Sequence, residues 1–232
     1  MKIGIIAAES KEMMAIKKRM TNIQTNQKYN MNFYIGNMYN HEIILVECGV
    51  GKVNAARTAQ TLIDSFNVDY VINVGSAGAV NPNLNIKDIV IGDSLVQYDF
   101  DITGIGDYEK GEICDVGRYI ECDKDLVNRL SQVLNNVDKD YNIYIGKIGT
   151  ADYFCSDHEK GKQINNEFGV ECVEMEGAAI AQVCYLDKVP FIVIRGISDT
   201  INGDNKIDFH TYLELASEQV ALIIDELLRD WR

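Results

Sequence analysis

Short runs of Ile and Val alternate along the chain with segments whose apolar residues recur at helical spacing. Residues 2–8 predict a buried strand, and Met13, Ile16 and Met20 predict an amphipathic helix running through about residue 20. Residues 21–31, dominated by Thr, Asn, Gln and Lys, predict a loop. Residues 32–38 and 42–48 predict paired strands around a turn at Asn40-His41. A helix over 52–66 carries Val53, Ala56, Ala59, Leu62, Ile63 and Phe66 at helical spacing. Residues 69–74 predict a buried strand ending in Gly75-Ser76-Ala77-Gly78, and the turn Asn81-Pro82-Asn83 leads to a strand over 88–96. Residues 99–121, with glycine at 104, 106, 111 and 117, predict a long functional loop. A helix near 123–136, a strand near 142–149 and a helix over 157–167 follow. The run into Val173-Glu174 predicts a strand, 177–184 a helix, 189–197 a strand and 200–208 an acidic loop. The last helix sets Tyr212, Leu215, Ala216, Val220, Ile223, Ile224, Leu227 and Trp231 on one apolar face. This alternation predicts one domain, 1–232, of three α/β/α layers around a mainly parallel or mixed sheet.

At 232 residues and 47% hydrophobic content, the chain is long enough to bury a full core without staples. No apolar run approaches the roughly 18 residues needed to span a bilayer. The opening Met1–Ala8 stretch weakly imitates a leader, but Glu9, Lys11 and Glu12 cut it short, so a strand explains it better. The net charge of −13 repels nucleic acid and anionic membranes, so the expected partner is a small molecule, neutral, cationic or held in a local pocket. The six cysteines form no CxxC pair and read as free thiols of a cytoplasmic protein. The histidines, 41, 158 and 210, match no metal motif, and neither a metal nor a cofactor is expected.

Two glycine-rich corners suggest ligand contact. Gly49-Val50-Gly51-Lys52 follows a strand and opens a helix, but lacks the third glycine of a dinucleotide fingerprint and the Ser or Thr of a P-loop. Gly75-Ser76-Ala77-Gly78 resembles a nucleophile elbow, yet Val74 stands where that motif demands glycine. Both allow a ligand to approach the backbone, at Val50 and at Gly78.

The carboxylates carry more information. Val173-Glu174-Met175-Glu176-Gly177-Ala178 and Val193-Ile194-Arg195-Gly196-Ile197-Ser198-Asp199 each place acids at a strand end, where open α/β sheets bind ligands. A lone acid at Glu176 is accounted for by the dipole of the helix that follows. Two such strand ends, with Glu12 beyond the first strand, point instead to converging carboxylates. Cleavage of a glycosidic bond passes through a cationic sugar, which such acids stabilise. One of Glu12, Glu176 and Asp199 can protonate a leaving group and another can polarise water, provided their environments separate their pKa values.

At these residues the chain resembles the nucleoside phosphorylase and nucleosidase superfamily, and within it the methylthioadenosine/adenosylhomocysteine nucleosidases. The resemblance runs from Met1-Lys2-Ile3-Gly4-Ile5-Ile6 with Glu12, through both glycine corners, to Val173-Glu174-Met175-Glu176 and Ile197-Ser198-Asp199. It implies a partly barrel-like sheet and hydrolysis of the N-glycosidic bond of methylthioadenosine, adenosylhomocysteine and 5′-deoxyadenosine. It further implies that Asp199, held by Ser198, protonates adenine N7, and that Glu12 activates water near Arg195. Glu176 then binds the ribose hydroxyls beside Met175 and Glu174, with Ser76 at the sugar and purine edge. Thr150-Ala151-Asp152-Tyr153-Phe154-Cys155 matches a segment in which Phe154 stacks on adenine and the Cys155 backbone bonds the base. Phe209 flanks the 5′ substituent.

The chain departs from the family pattern at Glu9, where methionine is usual, and at Ile105 and Asp107, where aromatics are usual. Glu9 is expected to put an extra acid near the proposed water site, and Ile105 and Asp107 to make the 5′ pocket more polar or differently shaped. The resemblance also implies a homodimer whose 105–114 loop covers the neighbour's site. Three other readings compete. A phosphorylase needs cationic side chains for phosphate, but Asn73 and the acids Glu9 and Glu12 stand near the expected place. A futalosine or aminofutalosine hydrolase differs at the 5′ end. A binding module without activity has no use for all three acids.

Overall fold

The computed structural model describes the backbone of residues 1–135, 140–201 and 205–231, and their side chains apart from 135 and 205–208. Strand β1 (Lys2–Ala7) lies at the centre, parallel to β4 (His41–Glu47) on one side and to β5 (Tyr70–Ala79) on the other. It has partners on both edges and cover on both faces, so Ile3, Ile5 and Ile6 are fully buried. That explains why its sequence is a continuous apolar run rather than an alternating one. Beyond β4 the sheet continues antiparallel through β3 (Met31–Met38) to β2 (Thr21–Lys28).

On the other side the sheet closes on itself. β5 pairs with β10 (Phe191–Thr200), β10 with β6 (Ile89–Gln97), and β6 with β8 (Ile143–Thr150). β8 then pairs with β9 (Val170–Glu174), and β9 returns antiparallel to β5. The mixed, partly barrel-like sheet expected from the sequence is therefore present, with the two-residue β7 (Ile120–Glu121) attached to β6. Helices α1 (Ser10–Lys17), α3 (Lys124–Asn135) and α6 (Asn205–Asp230) pack together on one flank. α2 (Lys52–Phe66) and α5 (Gly177–Asp187) pack together elsewhere, and α4 (His158–Phe168) rests on β9.

Several boundaries differ from the sequence reading. Residues 21–28 form an edge strand, not a loop. Its side chains face water almost throughout, so no apolar period marks it, and backbone bonds to β3 hold it in place. Polar residues on such an edge also discourage pairing with another chain. Helix α1 ends at Lys17, and the β3–β4 turn falls at Tyr39-Asn40 with His41 already in the strand. β5 runs on through Gly75-Ser76-Ala77-Gly78 to Ala79, and β10 runs on to Thr200, because each supplies the other's ladder. The proposed glycine corner thus lies inside a strand. Residues 99–121 are mostly irregular, as expected, and include a single 3₁₀ turn at Thr103–Ile105. Of the acidic loop expected at 200–208, residues 202–204 lie outside the described residues, as do 136 and 232, and α6 begins at Asn205. On the last helix Leu215 is 38% exposed, whereas Ala216, Val220, Ile223, Ile224 and Leu227 are buried. Among the described residues no helix is long and apolar enough to cross a membrane.

Helix α6 lies against β10 at Gly196, where an added Cβ would sit 3.0 Å from both the Cβ and the carbonyl oxygen of Ala216. Backbone cannot yield as a flexible side chain can. Gly196→Ala is expected to lower stability by about 1–3 kcal/mol through overpacking. Urea unfolding should show a lower midpoint at an unchanged slope, and an unchanged midpoint would contradict this packing.

Candidate active site

The carboxyl ends of β1, β5, β9 and β10 converge on one side of the sheet, and each brings an acid or its partner. Glu12 stands in the first turn of α1, just past β1, and is buried. Its Oε2 accepts the N–H of Ala8 at 3.0 Å and that of Glu9 at 3.1 Å, the latter the N-cap donor that a helix start leaves unsatisfied. Its Oε1 accepts from the Ser76 N–H at 2.9 Å and from Oγ at 3.1 Å. Burial pushes the Glu12 pKa up, against the opposing pull of these donors and of the Arg195 charge.

Glu174, at the end of β9, is committed on both oxygens. Oε2 receives Arg195 Nη2 together with the N–H groups of Glu176 at 3.0 Å and Gly177 at 2.7 Å. Oε1 receives the Thr150 hydroxyl, whose oxygen in turn accepts the Ala178 N–H at 2.8 Å. Arg195 is 1% exposed, and its Nη2 also meets Asn73 Oδ1 at 2.5 Å. Glu174 therefore closes the start of α5 and neutralises Arg195, and it meets the cavity only as part of its wall.

Glu176 is the N-cap of α5 and is buried, with Oε1 accepting the Gly51 N–H at 2.8 Å. Burial, and next the charge of Glu174, push its pKa up to about 8. Asp199 follows a register shift in β10 and is buried, with Oδ1 accepting the Ser198 hydroxyl at 2.9 Å. The glycines of β5 make room for these acids. A Cβ at Gly75 would lie 3.0 Å from Glu12 Oε1, and one at Gly78 would lie 2.8 Å from Asp199 Oδ2.

These groups surround a cavity of about 230 Å³. Glu12, Val50, Ser76, Gly78, Phe154, Glu174, Met175, Glu176, Ser198, Asp199 and Phe209 all line it, and Glu9 joins them at the wall. Phe154 and Phe209 meet edge to face, with ring centroids 5.7 Å apart, and Phe154 is 43% exposed. Two residues expected at the site stand apart from this wall. Cys155 lines a smaller adjoining hollow with Tyr98 and Tyr153, and Arg195 sits behind Glu174. Thr150 and the Gly51 N–H hold the site's acids in roles that no sequence motif marks, and Asn73, which in sequence speaks only against phosphate, is here a partner of Arg195. A polar residue closing a buried strand, as Thr150 does, was the one available signal.

Chemically, the cavity presents two carboxylates, Glu12 and Glu176, that bind protons more tightly than usual. Among the described residues no Lys or Arg lines it, and Arg195 is already matched by Glu174. Such a site suits a developing positive charge far better than a dianion.

Comparison with known proteins agrees with that chemistry. The family model described as the Phosphorylase superfamily matches residues 2–229. The chain belongs to the phosphorylase superfamily. Among its superfamily relatives, the chain is 35% identical over 228 residues to a 5′-methylthioadenosine/S-adenosylhomocysteine nucleosidase of Marinomonas sp. (strain MWYL1), covering 98% of each. A crystal structure of S-adenosylhomocysteine nucleosidase from Streptococcus pyogenes, in complex with 5-methylthiotubericidin, is 37% identical with a TM-score of 0.94. It covers 100% of this chain and 98% of its own. A futalosine hydrolase of Helicobacter pylori strain 26695 is 29% identical with a TM-score of 0.93, covering 99% of this chain and 97% of its own.

The buried charges of this superfamily member have two measurable consequences. Arg195→Met leaves Glu174 buried without its counter-charge and is expected to cost about 3–5 kcal/mol in urea unfolding. A loss below about 1 kcal/mol would deny the pair its structural part. Glu176 titrates near 4.5 when unfolded and near 8 when folded. Between those values the folded state binds more protons, so stability falls as pH rises, and the full penalty is present above about 8. Glu176→Gln is therefore expected to be the more stable protein at about pH 9, with its advantage shrinking toward about pH 5. Unfolding midpoints at both pH values check this, and an advantage that grows toward low pH would refute it.

Proposed function

We propose that the protein hydrolyses the N-glycosidic bond of 5′-methylthioadenosine and S-adenosylhomocysteine, and also of 5′-deoxyadenosine, releasing adenine and the 5-substituted ribose. The observation that carries this reading is the pairing of Glu12 with Ser76 and of Asp199 with Ser198 across one cavity without a cationic lining. The names of the nucleosidase relatives supply the substrate class.

In this reading Asp199 donates a proton to N7 of adenine, so the base departs neutral as the glycosidic bond breaks and its electron pair passes to the purine. Positive charge develops on the ribose between Glu176, which bonds its hydroxyls, and Glu12. Glu12 accepts one proton from the attacking water while the oxygen bonds the anomeric carbon. Phe154 stacks on the base, the Cys155 backbone bonds its edge, and Phe209 with Val50 flanks the 5′ substituent. Arg195 acts through Glu174 and the local field rather than on water directly. The protein works as a cytoplasmic homodimer. Its free thiols fit a reducing compartment, and the strongly exposed Ile105, in the loop held to serve a neighbour, fits a dimer contact. A futalosine or aminofutalosine hydrolase is the second reading, favoured by the Helicobacter pylori likeness and by Glu9 at the cavity wall.

Adenine release from 5′-methylthioadenosine, first without phosphate and then with millimolar phosphate, tests the proposal. Release independent of phosphate is expected, and Asp199→Asn should lower kcat by about 10²–10⁴-fold. Release that requires phosphate and yields a sugar 1-phosphate would make the protein a phosphorylase. Release from aminofutalosine alone would favour the second reading, and adenine from neither would leave a binding module.

A further inference from the structure

Outside the cavity, one cluster of charged side chains joins two segments that form its wall. Lys52 opens α2 directly after Gly51, whose N–H holds Glu176. Gly51 is the N-cap and has no side chain to satisfy the helix start. Asp152, from a segment a hundred residues away, does so instead, with its Oδ1 accepting the Lys52 N–H at 2.8 Å. Lys52 Nζ donates to Asp99 Oδ1 at 2.7 Å and stands 3.9 Å from Asp152 Oδ2. Asp99 Oδ2 accepts the Asp152 N–H at 3.0 Å and closes the ring. The Lys52 and Asp99 side chains are only 17% and 22% exposed, so solvent screens this cluster less than an ordinary surface pair. Gly51 has φ 99°, and a Cβ there would come within 3.2 Å of Asp152 Oδ1, so the corner is shaped around that carboxylate.

We propose that Lys52, Asp99 and Asp152 are positioning residues for the reaction, a three-part clamp that fixes the Gly51 corner against the segment carrying Phe154 and Cys155. The inference rests on the functional reading above, in which Glu176 holds the ribose and Phe154 the base. The clamp sets the spacing between those two grips. Glu12 and Asp199 have separate anchors in Ser76 and Ser198, on β5 and β10, which the cluster does not touch. The hydrogen bonds of Glu176 to the ribose hydroxyls and the stacking of Phe154 on the base are made in bound substrate and transition state alike, and a change at Lys52 leaves the Glu176 carboxyl that meets the developing charge in place. Loosening them therefore removes uniform binding, which raises KM and spares kcat.

The test compares wild type, Lys52→Met and Lys52→Arg with 5′-methylthioadenosine. Lys52→Met is expected to raise KM about tenfold with kcat held within about threefold. Lys52→Arg, which keeps the cation within reach of both carboxylates, should stay within about threefold of wild type in KM. Hydrogen exchange on the free protein supplies a readout without substrate. The amides of Gly51, Lys52 and Asp152 should exchange about tenfold faster in Lys52→Met, while those of β1 remain as in wild type. Should Lys52→Met fail to fold, Asp99→Ala cuts the same ring and carries the same expectations. A fall in kcat at unchanged KM, no rescue by arginine, or exchange equal to wild type would each overturn the clamp. If wild type releases no adenine, the functional reading fails, and the exchange measurement alone decides the clamp.

Discussion

The buried pair of Glu174 and Arg195 is the constraint on which the site depends. A guanidinium in the middle of β10 cannot reach water, and burying it unmatched would cost several kcal/mol. Glu174 matches it from the end of β9 and still accepts the Glu176 and Gly177 N–H groups at the start of α5. Asn73 on β5 and Thr150 on β8 complete the shell. Four strands of the closed ring and one helix are thereby tied through a single ion pair. Replacing the pair by apolar residues could conserve volume, but it would leave the α5 start unsatisfied and Glu176 without a fixed place.

The second constraint is space. Two carboxylates point at β5, and only a strand without side chains at those positions can pass so close to them. Gly75 and Gly78 meet that need, and Ser76 between them supplies both a backbone and a hydroxyl donor to Glu12. A glycine in a strand interior ordinarily weakens it. Here pairing with β10 on one edge and β9 on the other restores what the missing side chains give up.

Much of this was legible in the sequence because apolar runs report burial. β1, β5 and β10 are flanked by partners on both edges and covered on both faces, so their composition alone identified them. β2 was illegible for the opposite reason, since its side chains face water and only the ladder to β3 defines it. The acids were legible as candidates through their positions at strand ends, and the resemblance sorted them into roles. The division of labour between Glu174 and Glu176 was not legible. Both are buried carboxylates two residues apart, and only the surrounding donors separate them. Arg195 and Thr150 reach Glu174 from β10 and β8, and the Gly51 N–H reaches Glu176 from the start of α2. These donors come from separate parts of the chain, and sequence spacing does not bring them together.

Charge accounting then links structure to the proposed chemistry. Arg195 balances Glu174, which leaves Glu12 and Glu176 as buried acids without a cation of their own. Both respond by holding protons more tightly than a solvated carboxyl group. The site is thus electrostatically unfavourable in its fully ionised form, and a neutral nucleoside does little to relieve it. A sugar that gains positive charge as its base departs is what the two acids lack. Stabilisation that appears only as that charge develops lowers the barrier without tightening the ground state. The same field repels a phosphate dianion, so water is the nucleophile that this arrangement admits. In the proposed reaction, Glu12 and Glu176, whose tight hold on protons costs the folded protein stability at high pH, are the two acids set beside the developing sugar cation.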